Sequence, residues 1–178
     1  MNSNEIIIPC RIFYAHVWEP SAMEGSNDAK YSVCLAFPKT EPVVAKIKAM
    51  LKDTATAGAA KWGGKVPANL KMPLRDGDAE RPDDAGYAGC YFINANSSRR
   101  VPIIDRQCRA IMDQEEVYSG CYCNVKVSFF PYNTSGNRGI GCGLVAIQKV
   151  RDGERMGGGS GVAGFEELPE EELNDLLA

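Results

Sequence analysis

Residues 121–150 read CYCNVKVSFFPYNTSGNRGIGCGLVAIQKV, which is two β-rich runs joined by a stretch of turn-forming residues. In the first run, apolar and more polar side chains alternate, the period of two that is typical of a strand with one buried face. Asn, Ser and Gly dominate the middle of the stretch and favour a turn. We therefore predict a hairpin that joins Cys121–Tyr132 to Gly139–Val150 through a loop at Asn133–Asn137.

The rest of the chain adds shorter strands and one clear helix. The strands are predicted at Ile6–Val17, Tyr31–Phe37, Cys90–Asn96 and Val101–Ile104. Thr40-Glu41-Pro42 opens the helix, because Thr can cap free N–H groups and Pro loses no hydrogen bond in the first turn. Apolar residues at helical spacing follow, and the region of Gly58 and Gly63-Gly64 ends the helix. This order predicts a mainly β, OB-fold-like, partly open β-barrel with one main helix after the second strand and long loops.

The composition indicates one globular domain and a small appendage. The chain has 178 residues, of which 44% are apolar, and this length buries a core without help from disulfides or metals. No apolar run is long enough for a transmembrane helix, and no secretory signal is evident. The seven cysteines are scattered and odd in number, which suits a reducing compartment. We therefore expect a cytoplasmic protein.

Acidic residues are concentrated at the end of the sequence. The whole chain carries 20 basic and 23 acidic residues, and without the six acids after Phe165 it has 20 basic and 17 acidic residues, a net charge of +3. The six are Glu166, Glu167, Glu170, Glu171, Glu172 and Asp175. Met156–Gly164 (MGGGSGVAG) is rich in glycine and predicts a flexible linker. The expected organisation is a folded domain at 1–155, followed at 156–178 by this linker and an acidic C-terminal tail.

The charge asymmetry indicates a binding function, and the tail itself has two interpretations. A basic body with an acidic tail is typical of a protein that binds a polyanion and uses the tail to bind protein partners. The alternative to a flexible tail is that Glu170–Leu177 forms an amphipathic helix that docks on the body. The sequence leaves both interpretations open, and it does not determine whether the protein is a homo-oligomer.

Candidates for catalytic residues are few. His16 is the only histidine, which excludes two-histidine zinc sites and leaves little room for a Ser-His arrangement. Asp76 and Asp78 flank Gly77 and could hold Mg²⁺ in a nuclease or another phosphodiesterase. The simpler alternative is a tight turn whose carboxylates accept backbone N–H groups. We expect a protein that is not an enzyme and that has no catalytic residue, metal or cofactor.

A binding function is favoured by the polar face of the predicted hairpin. That face carries Lys126, Phe130 and Tyr132, so a cation and two aromatic rings lie together. Unpaired bases stack on aromatic rings while cations meet the phosphates, so this combination indicates binding of a single-stranded nucleic acid. In the alternative, Phe130 and Tyr132 are buried under the long loop Lys61–Gly86.

Further cations lie in the loop Lys61–Gly86 and after the strand at Cys90–Asn96. The planar guanidinium group of Arg binds phosphates and stacks on bases, so an arginine cluster is a plausible rim for a nucleic-acid groove. The predicted nucleic-acid-binding residues are Trp62, Lys71, Arg75, Arg99, Arg100, Lys126, Phe130, Tyr132 and Arg138. Ordinary solvated surface charge is the alternative for any single cation among them.

Several short segments resemble those of a known family in their order and spacing. They are Lys30-Tyr31-Ser32, Pro38-Lys39, Pro73-Leu74-Arg75-Asp76-Gly77-Asp78, Tyr118-Ser119-Gly120-Cys121-Tyr122, Phe130-Pro131-Tyr132, Gly139-Ile140, Leu144–Val150 and Asp152-Gly153-Glu154. The family is that of the single-stranded-DNA-binding proteins of tailed phages, and the resemblance extends over residues 12–155. The acidic tail is similar in charge to the tails of other single-strand-binding proteins, although it ends in Leu177-Ala178 rather than in Phe.

The resemblance implies an OB fold without catalysis and a role in phage DNA replication or recombination. The predicted function is therefore sequence-independent binding of single-stranded DNA in the cytoplasm of the bacterial host. Replication or recombination proteins are the expected partners of the acidic tail, and no contact with a membrane is expected. A Mg²⁺-dependent nuclease that uses Asp76 and Asp78, and a structural phage assembly protein, are the alternatives.

Overall fold

A computed structural model of the chain describes residues 3–22, 25 and 27–155. Its strands are β1 (Glu5–Ser21), β2 (Lys30–Pro38), β3 (Arg75–Asp76), β4 (Cys90–Ser97), β5 (Ile103–Ile104), β6 (Tyr122–Thr134) and β7 (Asn137–Arg151). Its helices are α1 (Val43–Ala57) and α2 (Gly77–Glu80), with 3₁₀ turns at Ala59–Trp62, Ala85–Tyr87 and Gln114–Glu116. None of the helices in these ranges has the length and apolar character that crossing a membrane requires. The predicted linker and acidic tail at 156–178 lie outside the described residues.

Five of the strands close into a barrel. β1 pairs with β2 and with β6, β2 pairs with β4, and β6 pairs with β7, all antiparallel. A parallel contact between β4 and β7, where Asn96 lies opposite Gly143, closes the ring. The prediction of a mainly β, OB-fold-like architecture with one main helix after the second strand is thereby confirmed. The barrel is closed rather than partly open, and the short strands β3 and β5 lie at the edges of the sheet.

Alternation along the strands determines what lies inside the barrel. In β1, Ile6 and Ile8 are almost completely buried, whereas Ile7 between them is exposed. α1 packs against β6 and β7, and its buried residues are Val44, Ile47, Leu51 and Ala55. The N-cap position of α1 is occupied by Pro42, and no side chain caps the helix, so the predicted capping by Thr40 is wrong.

The hairpin turn is shorter than predicted. Thr134 pairs with Asn137, so β6 and β7 extend into the loop that was expected at Asn133–Asn137. Ser135 and Gly136 remain between the strands, and both have positive φ, at 50° and 84°. Two successive residues with positive φ are typical of a type I′ turn, whose twist matches the right-handed twist of paired strands.

A second, smaller cluster of apolar side chains lies on the outside of the barrel. Its members are Phe13, Cys34, Ala36, Tyr87 and Phe92. Tyr87 is 1% exposed, and its ring centre lies 5.2 Å from the ring centres of Phe13 and Phe92. The Tyr87 hydroxyl contacts Cys34 Sγ at 3.5 Å. The segment 77–89 therefore covers the outer surface where β1, β2 and β4 meet, and this part of the long loop belongs to the folded structure.

Trp62 lies in the core rather than on the surface. It ends the 3₁₀ turn that follows α1, is 6% exposed and packs within the main core cluster. Its indole Nε1–H donates to the carbonyl oxygen of Tyr132 at 2.9 Å, which satisfies the polar atom of the ring. The expectation that Trp62 binds nucleic acid does not agree with this position, because a buried ring offers no face on which a base can stack.

We expect Trp62→Ala to lower the free energy of unfolding by about 3–5 kcal/mol, because it removes a large buried ring and leaves a cavity. Trp62→Phe retains most of the ring and loses the hydrogen bond to Tyr132, whose net contribution is about 0.5–1.5 kcal/mol. Urea denaturation followed by circular dichroism measures both changes. If Trp62→Ala unfolds at the same urea concentration as the wild type, the assignment of this ring to the core is wrong.

Candidate nucleic-acid interface

A groove of about 630 Å³ lies on the outside of the barrel, between the segment 71–75 and the strands β4 and β7. The residues that line it are Lys71, Met72, Pro73, Arg75, Asn94, Asn96, Tyr132, Ile140, Gly141 and Cys142. Three of them were predicted from the sequence to bind nucleic acid, namely Lys71, Arg75 and Tyr132. The structure therefore brings two cations of the long loop together with an aromatic residue of the hairpin.

Backbone hydrogen bonds hold Lys71, the first residue of the segment 71–75, against β7. The N–H of Lys71 donates to the carbonyl of Arg138 at 3.0 Å, and the Lys71 carbonyl accepts the N–H of Ile140 at 2.9 Å. The Lys71 ammonium group lies 3.3 Å from Asn137 Oδ1, so this contact is with a neutral amide rather than a carboxylate. The positive charge of Lys71 is thus available to an anionic ligand.

Arg75 is held beside the groove by two neighbours. Its Nε–H donates to Glu80 Oε1 at 2.8 Å, and its guanidinium carbon lies 5.6 Å from the centre of the Phe92 ring. The ion pair with Glu80 compensates part of the charge, whereas both contacts restrict the orientation of the guanidinium plane. About half of the Arg75 side chain, 49%, remains exposed to solvent.

Asn94 and Asn96 provide the polar floor of the groove, and neither was predicted from the sequence as a binding residue. Ile93 and Ala95 of β4 point into the core, so the two asparagines between and after them point outward. Each amide side chain has donors and acceptors for hydrogen bonds to a base edge or a sugar. The only sequence signal was the alternation of apolar residues with Asn in the predicted strand.

The glycines of β7 create the space in which the aromatic rings of β6 lie. Phe130 is paired with Gly141, and Tyr132 is paired with Gly139. A Cβ atom on Gly141 would lie 2.5 Å from Phe130 Cζ, and one on Gly139 would lie 2.7 Å from the Tyr132 hydroxyl. The Phe130 ring therefore lies across the backbone of β7 and is still 43% exposed. Of the two predicted stacking residues, Phe130 presents an exposed ring, whereas Tyr132 is half-buried in the groove wall.

The other predicted cations lie farther along the same strands and are at least partly exposed. Lys126 projects from the outer face of β6, and Arg138 lies beside the hairpin turn. Arg99 and Arg100 follow β4, and the Ser97 hydroxyl fixes the backbone of Arg99 through hydrogen bonds of 2.7 and 3.1 Å. These four cations do not line the groove itself. They would therefore contact only a nucleic-acid strand that extends beyond the groove.

Asp76 and Asp78 act as acceptors in a turn and as partners of Lys39. Lys39 Nζ lies 2.7 Å from Asp76 Oδ1 and 2.8 Å from Asp78 Oδ2, and its hydrogen bonds lower the pKa of both carboxyl groups. Asp76 also accepts the N–H of Asp78, and Asp78 accepts the N–H of Gly89, both at 3.0 Å. The geometry agrees with the turn interpretation. Because an ammonium group already lies between the two carboxylates and compensates one of their two charges, this arrangement gives no support to the nuclease alternative.

Sequence comparison relates the chain to phage proteins. The profile of the family described as Enterobacter phage Enc34, ssDNA-binding protein, matches residues 4–177. Protein p50 of Acyrthosiphon pisum secondary endosymbiont phage 1 is 32% identical over 181 residues, which cover 94% of this chain and 95% of that protein.

Structure comparison also relates the chain to phage proteins. The single-stranded DNA-binding protein from bacteriophage Enc34, in complex with ssDNA, has a TM-score of 0.77 and 26% identity, over 88% of this chain and 91% of that chain. The single-stranded DNA binding protein gp2.5, encoded by bacteriophage T7, shares the fold with a TM-score of 0.59 at 18% identity, over 92% of this chain and 96% of that chain. Because the family profile matches almost the whole sequence, the chain belongs to the family of the Enterobacter phage Enc34 single-stranded-DNA-binding protein.

Proposed function

We propose that this protein binds single-stranded DNA without sequence preference and coats exposed strands during phage DNA replication and recombination. The observation that carries the proposal is the Phe130 ring, which is 43% exposed across the glycines of β7, beside a groove that contains Lys71 and Arg75. An exposed ring next to cations is what an unpaired nucleotide requires. The protein acts in the cytoplasm of the bacterial host, as a binding protein rather than an enzyme.

Each part of the site has a separate task in binding. A base stacks on the exposed ring of Phe130, and this contact accepts any base because every base has a π-face. Lys71 and Arg75 neutralise phosphates of the strand in the groove. Asn94 and Asn96 donate hydrogen bonds to base edges or sugars, or accept them. The ssDNA complex of the related phage Enc34 protein supports this choice of ligand.

A salt titration with a fluorescent dT oligonucleotide tests the function. We expect the logarithm of the affinity to fall steeply with the logarithm of the salt concentration, because bound cations release counterions from the phosphates. Lys71→Gln should reduce the slope by about 0.7, the value for one phosphate contact on a single strand. Arg99→Gln combined with Arg100→Gln should reduce the slope by up to about 1.4. Fluorescence anisotropy measures all of these slopes.

Lys46→Gln is the matched control for the titration. Lys46 is exposed on α1 and does not line the groove, so its removal should leave the slope unchanged. The oligonucleotide should also remain intact in the presence of Mg²⁺. Cleavage that disappears in Asp76→Asn would support the nuclease alternative, and a wild-type slope near zero would contradict DNA binding.

Phe130→Ala should weaken binding to the dT oligonucleotide by about 1–3 kcal/mol, the usual contribution of one stacked base. Gly141→Ala should also weaken binding, because its Cβ atom would displace the Phe130 ring. In protein that already carries Phe130→Ala, the second change Gly141→Ala should have little further effect, since the two residues act through the same ring. Anisotropy measures the affinities of the two single variants and the double variant.

Met112→Ala is the control, because it removes an apolar side chain that is 82% exposed and lies outside the groove. It should leave the affinity unchanged. The melting temperature of Phe130→Ala should stay close to that of the wild type. A large decrease of the melting temperature that accompanies the loss of binding would instead assign Phe130 to the core.

The acidic tail competes with DNA for the basic groove in this proposal, and the displaced tail binds replication or recombination proteins. Its acids are Glu166, Glu167, Glu170, Glu171, Glu172 and Asp175. They are tethered to a body with a net charge of +3, so their effective concentration near the groove is high. A weak contact in solution thereby becomes a significant one within the chain.

Replacing these six acids by Asn or Gln in the full chain should tighten binding to the dT oligonucleotide at low salt. The gain should shrink as salt is added, because the Debye length is only about 10 Å at 0.1 M. Anisotropy titrations at several salt concentrations compare the two proteins. Equal affinities at low salt would show that the tail does not compete with DNA.

A further inference from the structure

A second groove, of about 460 Å³, lies between α1 and the segment 66–74. Val66, Met72 and Leu74 form one wall, while α1 forms the other wall and places Lys48 and Lys52 at the rim. Met72 also lines the proposed DNA groove, so the two grooves adjoin at this residue.

The apolar surface of this groove is uncovered. Within the described ranges, six large apolar side chains are exposed, and two of these, Val66 at 45% and Met72 at 43%, lie here. An exposed apolar patch with a polar rim is typical of a site for another segment or molecule. The exposed part of α1 carries three lysines and one acid, so the rim attracts an acidic partner.

The end of this same chain has the complementary chemistry. Glu170–Leu177 reads EEELNDLL, which combines four acids with three leucines. Leu173, Leu176 and Leu177 have the spacing i, i+3 and i+4, which lies on one face of a helix. Such a helix would present leucines on one side and carboxylates on the rest of its surface.

The tether is long enough for the segment to reach the groove of its own chain. β7 ends at Arg151, which pairs with Tyr122, whereas the other end of β6 places Tyr132 beside the segment 71–75. Ten residues of strand separate Tyr122 from Tyr132, a distance of about 33 Å. Residues 156–172 can span up to roughly 60 Å when extended. Docking within one chain is therefore sterically feasible.

We propose that Glu170–Leu177 docks in the groove between α1 and the segment 66–74 of the same chain. Its leucines pack against Val66 and Met72, and its acids face Lys48 and Lys52. This proposal concerns the body and the tail alone and does not require that the protein bind DNA. Because Met72 lines both grooves, the docked segment lies next to the proposed DNA groove, and its acids compete with DNA there only when the segment leaves the docking site.

Carbodiimide cross-linking of the full chain tests the docking, because this reagent joins a lysine to a carboxylate only where the two are in contact. Mass spectrometry should find Lys48 or Lys52 joined to the acids of Glu170–Leu177. Leu176→Ser with Leu177→Ser should weaken docking roughly 100-fold and reduce these products accordingly, since each buried leucine contributes about a factor of ten or more. Val66→Asp should reduce them similarly, and it changes a side chain that is 45% exposed.

Leu168→Ser is the matched control, because Leu168 lies in the tail but outside the docking segment, and it should leave the products unchanged. A mixture of unlabelled and ¹⁵N-labelled protein should give products in which both peptides carry the same label. Products that pair light with heavy peptides would identify a second copy as the site and overturn docking within one chain. Absence of Lys48 and Lys52 products, or products that the leucine changes do not affect, would overturn the proposal as well.

Discussion

The candidate site depends on the parallel contact between β4 and β7, which brings its residues together. At this contact Asn96 lies opposite Gly143, and the five main strands become a closed barrel. Closure places the outer face of β4, with Asn94 and Asn96, beside the glycines across which the Phe130 ring lies. Without this contact, the hairpin and the β2–β4 pair would present two separate surfaces, and the floor of the groove would not exist.

The long connection between α1 and β4 leaves only part of the outer surface of the barrel open. OB folds commonly bind oligonucleotides across their second and third strands. Here the segment 77–89 covers the outer surface of β2, because Tyr87 is buried there and Lys39 holds the two carboxylates of the turn. The segment 71–75 instead runs from β7, where Lys71 is bonded, to β4, where Arg75 is paired, and it forms a wall of the groove. The open surface is thereby shifted toward β4, β7 and β6.

Local patterns predicted the parts of the site that belong to regular strands. Phe130 and Lys126 were placed on the outer face of β6 because side chains alternate along a strand whatever its neighbours are. Trp62 was predicted on the surface because a single 3₁₀ turn is too short for a pattern of apolar residues to show which side chain is buried. Its burial follows from the contact with Tyr132 in a distant strand. Asn94 and Asn96 were missed because an asparagine that faces solvent and one that lines a groove have the same sequence pattern.

Residues close together in the chain were sufficient to define the strands, the main helix, the polar face of the hairpin and the contrast between a basic body and an acidic end. They were not sufficient to define the groove. Lys71 reaches β7 through backbone bonds to Arg138 and Ile140, and β4 reaches β7 at Gly143. These contacts join residues that are far apart in sequence, and their register follows from strand pairing and barrel closure, which no local pattern encodes.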